Sequence, residues 1–218
     1  QHLGAYIADW VGMRYAEALR IEAACGSGAA AFRSALMAVA SGALDSAVAV
    51  GVEKMTDSPG AEITAELATA ADADYEAGQG LSFVALNALI MRRYMFEYGW
   101  KKEDFAPFSI NAHANGVHNP CARFQEPLDE KGYARAPMVA DPINLMDASP
   151  MGDGSAAALI VPVERLYRQP GVPLVKVAGS AAATDTIAIH DRRDPLWLMA
   201  AERSARLAYA QAGVGPED

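Results

Sequence analysis

The chain has 218 residues, 52% hydrophobic and 21% charged, which suits one large domain or one and a half ordinary ones and excludes global disorder. A net charge of −9 and the lack of any Lys/Arg stripe argue against a reader of nucleic acid; Lys101-Lys102 and Arg192-Arg193 are isolated pairs expected on solvated surface. Cys25 and Cys121 lie far apart without metal-ligand spacing, so neither a disulfide scaffold nor a metal centre is expected, and a reducing, cytoplasmic compartment is.

Apolar positions at Leu3, Ile7, Trp10, Val11 and Ala18 follow a helical period and predict a helix over residues 2–18. A short strand is expected at Leu19 to Ala23, then a small-residue turn, then a strong helix from about Gly26 to Ser41, ended by Gly42. The run Ser46 to Val52 is apolar on both faces, as in a buried parallel strand. Residues 19–52 thus read as strand, helix, strand, a right-handed crossover unit.

Beyond Met55 the pattern changes. A helix is expected over Gln79 to Tyr98, and the segment Ile110–Val139, rich in Asn, His, Pro and Gly, reads as an irregular excursion. A fully apolar strand follows at Ala156 to Val163, after Gly152-Asp153-Gly154, and another strand at Leu174 to Gly179. Pro195 opens a helix to Ala212, and the Pro170-Gly171-Val172-Pro173 punctuation marks the expected domain boundary. No apolar run approaches the ~18 residues that span a bilayer, so no membrane segment and no secretory signal are expected. Both ends are abrupt, with Gln1-His2-Leu3 already reading as helix interior, so a fragment of a longer polypeptide is expected.

Cys25 falls where the expected strand gives way to the helix, followed by Gly26, Ser27 and Gly28. Helix N-termini carry unpaired N–H groups and a partial positive charge that favour a thiolate and can hold the oxyanion formed when sulfur attacks a thioester carbonyl. Small neighbours leave room for an acyl group. On position alone, a buried, inert cysteine fits equally well.

Four motifs in order change that balance. Ile21-Glu22-Ala23-Ala24-Cys25-Gly26-Ser27-Gly28 resembles the nucleophile segment of thiolases, in particular the archaeal acetoacetyl-CoA and sterol-carrier-protein-type branch. Gly51-Val52-Glu53-Lys54-Met55 resembles the strand end of that branch. His113 to Pro120 resembles its loop built on a His and a later Asn-Pro, and Gly152-Asp153-Gly154-Ser155-Ala156-Ala157 its turn before the last strand of the first half.

The resemblance implies an α/β thiolase fold of two βαβαβαββ halves in five layers. Residues 1–169 would be the later part of the N-terminal half, with the excursion at about 56–141, and 170–218 would begin the C-terminal half. It also implies a homodimer, or dimer of dimers, with Leu19–Ala24 at the subunit contact. The implied activity is acyl transfer: Cys25 accepts an acyl group from a CoA thioester, and 3-ketoacyl-CoA is formed or cleaved. Coenzyme A enters as part of the substrate and no bound cofactor or metal is expected. His113 is a candidate substrate-binding residue, although Ala112 stands where the branch has Asn, and a backbone-satisfying role is the competing reading. Ser27 and Asp153 are expected to shape turns, and Cys121, His118, His2 and His190 to be incidental.

The family's other catalytic motifs, a His-Asp-x-Phe or Asn-Glu-x-Phe, a Gly-His-Pro and a Cys-x-Gly, do not occur in these 218 residues, so the chain alone is not expected to turn over. Two further readings stay open. One is a thiolase-fold aldolase or lyase acting on a CoA ester with an OB-fold or zinc-ribbon partner; the other is a non-catalytic thiolase-like subunit.

Overall fold

The computed structural model describes residues 2–166, 171 and 173–218. In chain order its helices are α1 (Leu3–Trp10), α2 (Ser27–Ala40), α3 (Gly60–Ala68), α4 (Phe83–Tyr98), α5 (Ala106–Gly116), α6 (Glu130–Arg135) and α7 (Met199–Ala212). The strands are β1 (Ala47–Glu53), β2 (Met138–Ala140), β3 (Ile143–Asn144) and β4 (Gly154–Ile160). Two compact units contain them: Gln1–Glu53 with Gly154–Ala181 and Ala205–Asp218, and Lys54–Asp153 with Ala182–Ser204. Pro170 and Val172 of the expected boundary lie outside the described residues.

In the first unit, alternation along β1 selects its inner face. Ala49 packs with Val39 of α2 and Ile160 of β4, and Phe32, Ala35, Leu36 and Ala47 close around them. β1 and β4 pair antiparallel, from Ala47 opposite Ile160 to Glu53 opposite Gly154. The parallel strand expected here is therefore corrected. The outer face carries Val48, Val50, Val52 and Leu159, all exposed, because α2 covers only one side of the pair. The two apolar faces of β1 were legible, but not which neighbour it takes.

Leu19–Ala23 and Leu174–Gly179 form no strand, so the expected crossover unit is absent among the described residues. An extended run becomes a strand only when a neighbouring backbone takes its hydrogen bonds. The second of these runs is held by side chains instead. An Arg33 guanidinium from α2 donates to the Ser180 carbonyl oxygen and, at 3.1 Å, to Ser180 Oγ. The Ser180 N–H donates to Gln211 of α7 at 2.9 Å. Gly179 allows this approach, since a Cβ there would collide with the Ala208 carbonyl. α1 is shorter than expected, ending at Trp10 where the N–H groups of Val11 and Met13 turn back to Ile7 and Ala8. α2 ends before Gly42, whose φ of +77° supplies the left-handed stop.

In the second unit, Ser82 caps α4 by accepting the Ala85 N–H at 3.2 Å, so this helix begins at Phe83 rather than Gln79. The expected excursion over Ile110–Val139 is also corrected: α5, α6 and β2 occupy much of it. Pro107 lies in the first turn of α5, where its missing N–H costs nothing, and Asp129 caps α6 by accepting the Gly132 N–H at 2.7 Å. The helix expected from Pro195 starts at Met199, because the Asp194 carboxylate takes the Leu196 N–H at 2.9 Å and makes a turn of the first residues. Glu76, buried, accepts the Ile189 N–H at 2.6 Å and the Asp72 N–H at 3.3 Å, tying the segment from Ala182 to this unit.

A buried polar network organises the same unit. Asn144 is fully enclosed; its side-chain oxygen accepts the N–H groups of Met146 (2.7 Å) and Asp147 (3.3 Å), and its amide donates to the Tyr133 carbonyl at 3.3 Å. Asp147 accepts the Tyr133 hydroxyl at 2.8 Å and the Asn144 N–H at 2.9 Å. Burial, followed by the Asp147 carboxylate, pushes the Tyr133 phenol well above its ordinary range, so it stays a donor. Asn144→Ala orphans two half-buried N–H groups and is expected to cost about 1–3 kcal/mol, whereas Tyr133→Phe, which removes one donor, costs about 0.5–1.5 kcal/mol. Urea unfolding of the two variants checks that order.

Candidate active site

Cys25 lies in a single 3-10 turn, Ala24–Gly26, that leads directly into α2. Its thiol is free and exposed, which removes the reading of Cys25 as a buried small apolar side chain. Three contacts define the turn. The Glu22 carboxylate accepts the Ala24 N–H at 2.5 Å, Ser27 Oγ accepts the Ala23 N–H at 2.9 Å, and the Ser27 hydroxyl donates to the Ala24 carbonyl at 2.7 Å. A Cβ added at Gly28 would meet nothing within 4 Å. Ser27 shapes the turn. Glu22 was not singled out in the sequence, although it is the one charged side chain in a run of small ones.

The motifs around Lys54 and Asp153 meet in the second unit. Asp153 Oδ1 accepts the N–H groups of Met55 (2.9 Å) and Thr56 (3.0 Å), and Oδ2 accepts the Thr56 hydroxyl (2.6 Å) and the Lys54 ammonium (2.8 Å). Lys54 Nζ also reaches Asp57 at 2.8 Å. The hydrogen bond from Lys54, then those from Thr56, hold the Asp153 carboxyl well below the usual carboxylate range. The same pairing, together with Asp57, raises the Lys54 ammonium above its ordinary value. These groups are exposed, so the cluster defines a turn and supplies little net energy. Asp153 therefore shapes a turn, as its glycine neighbours suggested.

His113 sits on α5, not in a loop, and is half-buried. Its Nδ1 lies 3.1 Å from the Glu126 carbonyl oxygen, and its ring stacks on Phe124 with centroids 5.7 Å apart. Cys121 is exposed, with its N–H on Asn119 Oδ1 at 3.0 Å. His190 stands edge-on to Tyr75 at 5.2 Å. Among the described residues no group of three or more His, Cys, Asp or Glu is placed to hold a metal ion. No described helix is long and apolar enough to cross a membrane.

Residues 6–164 match the thiolase N-terminal domain. The chain belongs to the thiolase family. This thiolase chain is 42% identical over 218 residues to an acetyl-CoA acetyltransferase of Methanothermobacter thermautotrophicus, covering all of the chain and 56% of that protein. It is 35% identical to the acetyl-CoA acetyltransferase of Methanocaldococcus jannaschii, covering 55% of that protein. The archaeal branch inferred from the four motifs is the one these relatives occupy. Among solved structures, the Ltp2-ChsH2(DUF35) aldolase shares the fold with a TM-score of 0.73 at 24% identity, over 98% of this chain and 56% of that one. The thiolase chain thus spans about half the length of the curated relatives it matches.

Asp153 generates a pH signature. Its folded-state pKa is depressed below the ordinary 3.8, so its contribution to stability is complete above that value and is lost as pH falls through the lower folded value. Asp153→Asn is expected to be only slightly less stable than the parent at pH 7, with the small gap narrowing once pH drops below 3.8. Urea midpoints of both proteins, followed from neutral to strongly acid pH, check it. A gap that stays constant to acid pH would show that the carboxylate charge is not what holds the turn.

Proposed function

We propose that the full-length protein is an acyl-CoA acyltransferase of the thiolase type, forming or cleaving 3-ketoacyl-CoA through an acyl-cysteine intermediate on Cys25. The observation that carries this reading is an exposed cysteine on a turn at the start of α2, within a thiolase N-terminal domain. Cys25 Sγ attacks the thioester carbonyl, a C–S bond forms, and the thiolate of coenzyme A leaves. A second acyl-CoA, deprotonated at its α-carbon, then attacks the acyl-enzyme and releases the cysteine. The order predicts ping-pong kinetics. Coenzyme A takes part as substrate, without a resident cofactor. His113 is a proposed substrate-binding residue; with Nδ1 engaged by the Glu126 carbonyl, Nε2 is the nitrogen a ligand would meet.

The 42% identity to an acetyl-CoA acetyltransferase supports acyl transfer over lyase chemistry. A homodimer or dimer of dimers belongs to the same proposal. The name of the structural neighbour, which joins Ltp2 to ChsH2(DUF35), supports a smaller partner protein as well. Two free, exposed cysteines fit the reducing cytoplasm.

The test is mass spectrometry of the full-length protein after incubation with acetyl-CoA. One acetyl group is expected on the peptide bearing Cys25 and none in Cys25→Ala, with turnover reduced about 10³-fold or more. Absence of any acyl adduct under turnover would sink the proposal. Cleavage of a CoA ester that persists in Cys25→Ala would favour an aldolase or lyase.

A further inference from the structure

The turn that carries Cys25 holds a strained residue. Ala24 has φ +46°, a left-handed conformation in which its Cβ crowds the following carbonyl. Alanine offers no side chain to compensate, and both of its backbone polar groups are taken by neighbours: the N–H by Glu22 and the carbonyl oxygen by the Ser27 hydroxyl. Ser27 Oγ also accepts the Ala23 N–H, and the Gly26 N–H closes on the Ala23 carbonyl at 2.9 Å. Each of these contacts lies within four residues of Cys25, and Glu22, Ala23 and Ala24 are exposed in this chain, so within it the local contacts hold the conformation.

We propose that Glu22 and Ser27 are positioning residues for the Cys25 nucleophile, holding Ala24 left-handed so that the thiol is fixed at the start of α2. The inference rests on Cys25 being the acyl acceptor. Without the two braces, Ala24 relaxes to a right-handed or extended conformation, and the peptide that leads into Cys25 rotates with it. A displacement of about 1 Å at a reacting atom can cost up to about 100-fold in rate.

The test compares Glu22→Ala, Glu22→Gln, Ser27→Ala and the double variant Glu22→Ala with Ala24→Gly, all in the full-length protein. Three quantities are read: single-turnover acetylation of Cys25 by acetyl-CoA, alkylation of Cys25 by iodoacetamide relative to Cys121, and the melting temperature. Glu22→Ala and Ser27→Ala are expected to acetylate about tenfold more slowly, with melting temperatures near the parent's because each removes only local hydrogen bonds. Glu22→Gln, which keeps a side-chain oxygen to accept the Ala24 N–H, stays within about threefold of the parent. Ala24→Gly restores the Glu22→Ala protein, because glycine occupies positive φ at no steric cost.

That pattern separates positioning from charge, since a pure charge effect would appear equally in Glu22→Gln and would not respond to Ala24→Gly. Acetylation of Glu22→Ala at the parent rate, or no restoration by Ala24→Gly, overturns the proposal. If the parent itself takes up no acetyl group, the acyl-acceptor reading fails. The alkylation ratio then still decides the positioning role: a ratio altered in Glu22→Ala and restored by Ala24→Gly upholds it, and an unaltered ratio overturns it.

Discussion

The register of β1 against β4 is the constraint on which the other features depend. Seven residues of each strand pair in order, so Glu53 and Gly154, about a hundred residues apart in the chain, are opposite one another. The residues next to them, Lys54 and Asp153, then come within 2.8 Å. A one-residue shift of β4 against β1 would turn Ile160 away from α2 and bring Leu159 under it.

Two kinds of restraint hold the turns at Asp153 and Cys25. At Asp153, one carboxylate gathers four donors, and its charge is stabilised by an ammonium and by two backbone N–H groups. At Cys25 the restraint is local: a carboxylate and a hydroxyl engage the backbone of one left-handed alanine. The first responds to pH through a single depressed carboxyl. The second depends on backbone geometry, and its consequence is where a sulfur atom lies. With Cys25 as the proposed acyl acceptor, an error at that atom would fall on the rate.

Elements bounded by strong local chemistry were legible in the sequence. α2 runs within one residue of its expected ends because Gly26 and Gly42 bracket an alanine-rich stretch, and β1 was found from its apolar run. Elements that need a distant partner were not. Leu19–Ala23 and Leu174–Gly179 carry strand-like composition, yet neither joins a sheet among the described residues. Over Ile110–Val139, Asn, His and Pro suggested a loop, but the first-turn Pro107 and the Asp129 cap support helices there. The same division holds at the site. Cys25, Ser27 and Asp153 stood out by their glycine neighbours. Glu22 did not, because its role is visible only once Ala24 adopts a positive φ.

By itself the sequence determined the family, a candidate nucleophile and the rough extent of α2, β1, α4 and β4. Those follow from residue type and short-range spacing, which folding preserves. Only the tertiary structure decided that β1 pairs antiparallel with β4, that Asp153 collects Lys54 and Thr56, and that an exposed Cys25 follows a strained alanine braced from both sides. Strand partnership and backbone strain arise from contacts and torsions that composition does not encode, because the same apolar run can satisfy its hydrogen bonds with any neighbour the rest of the chain presents.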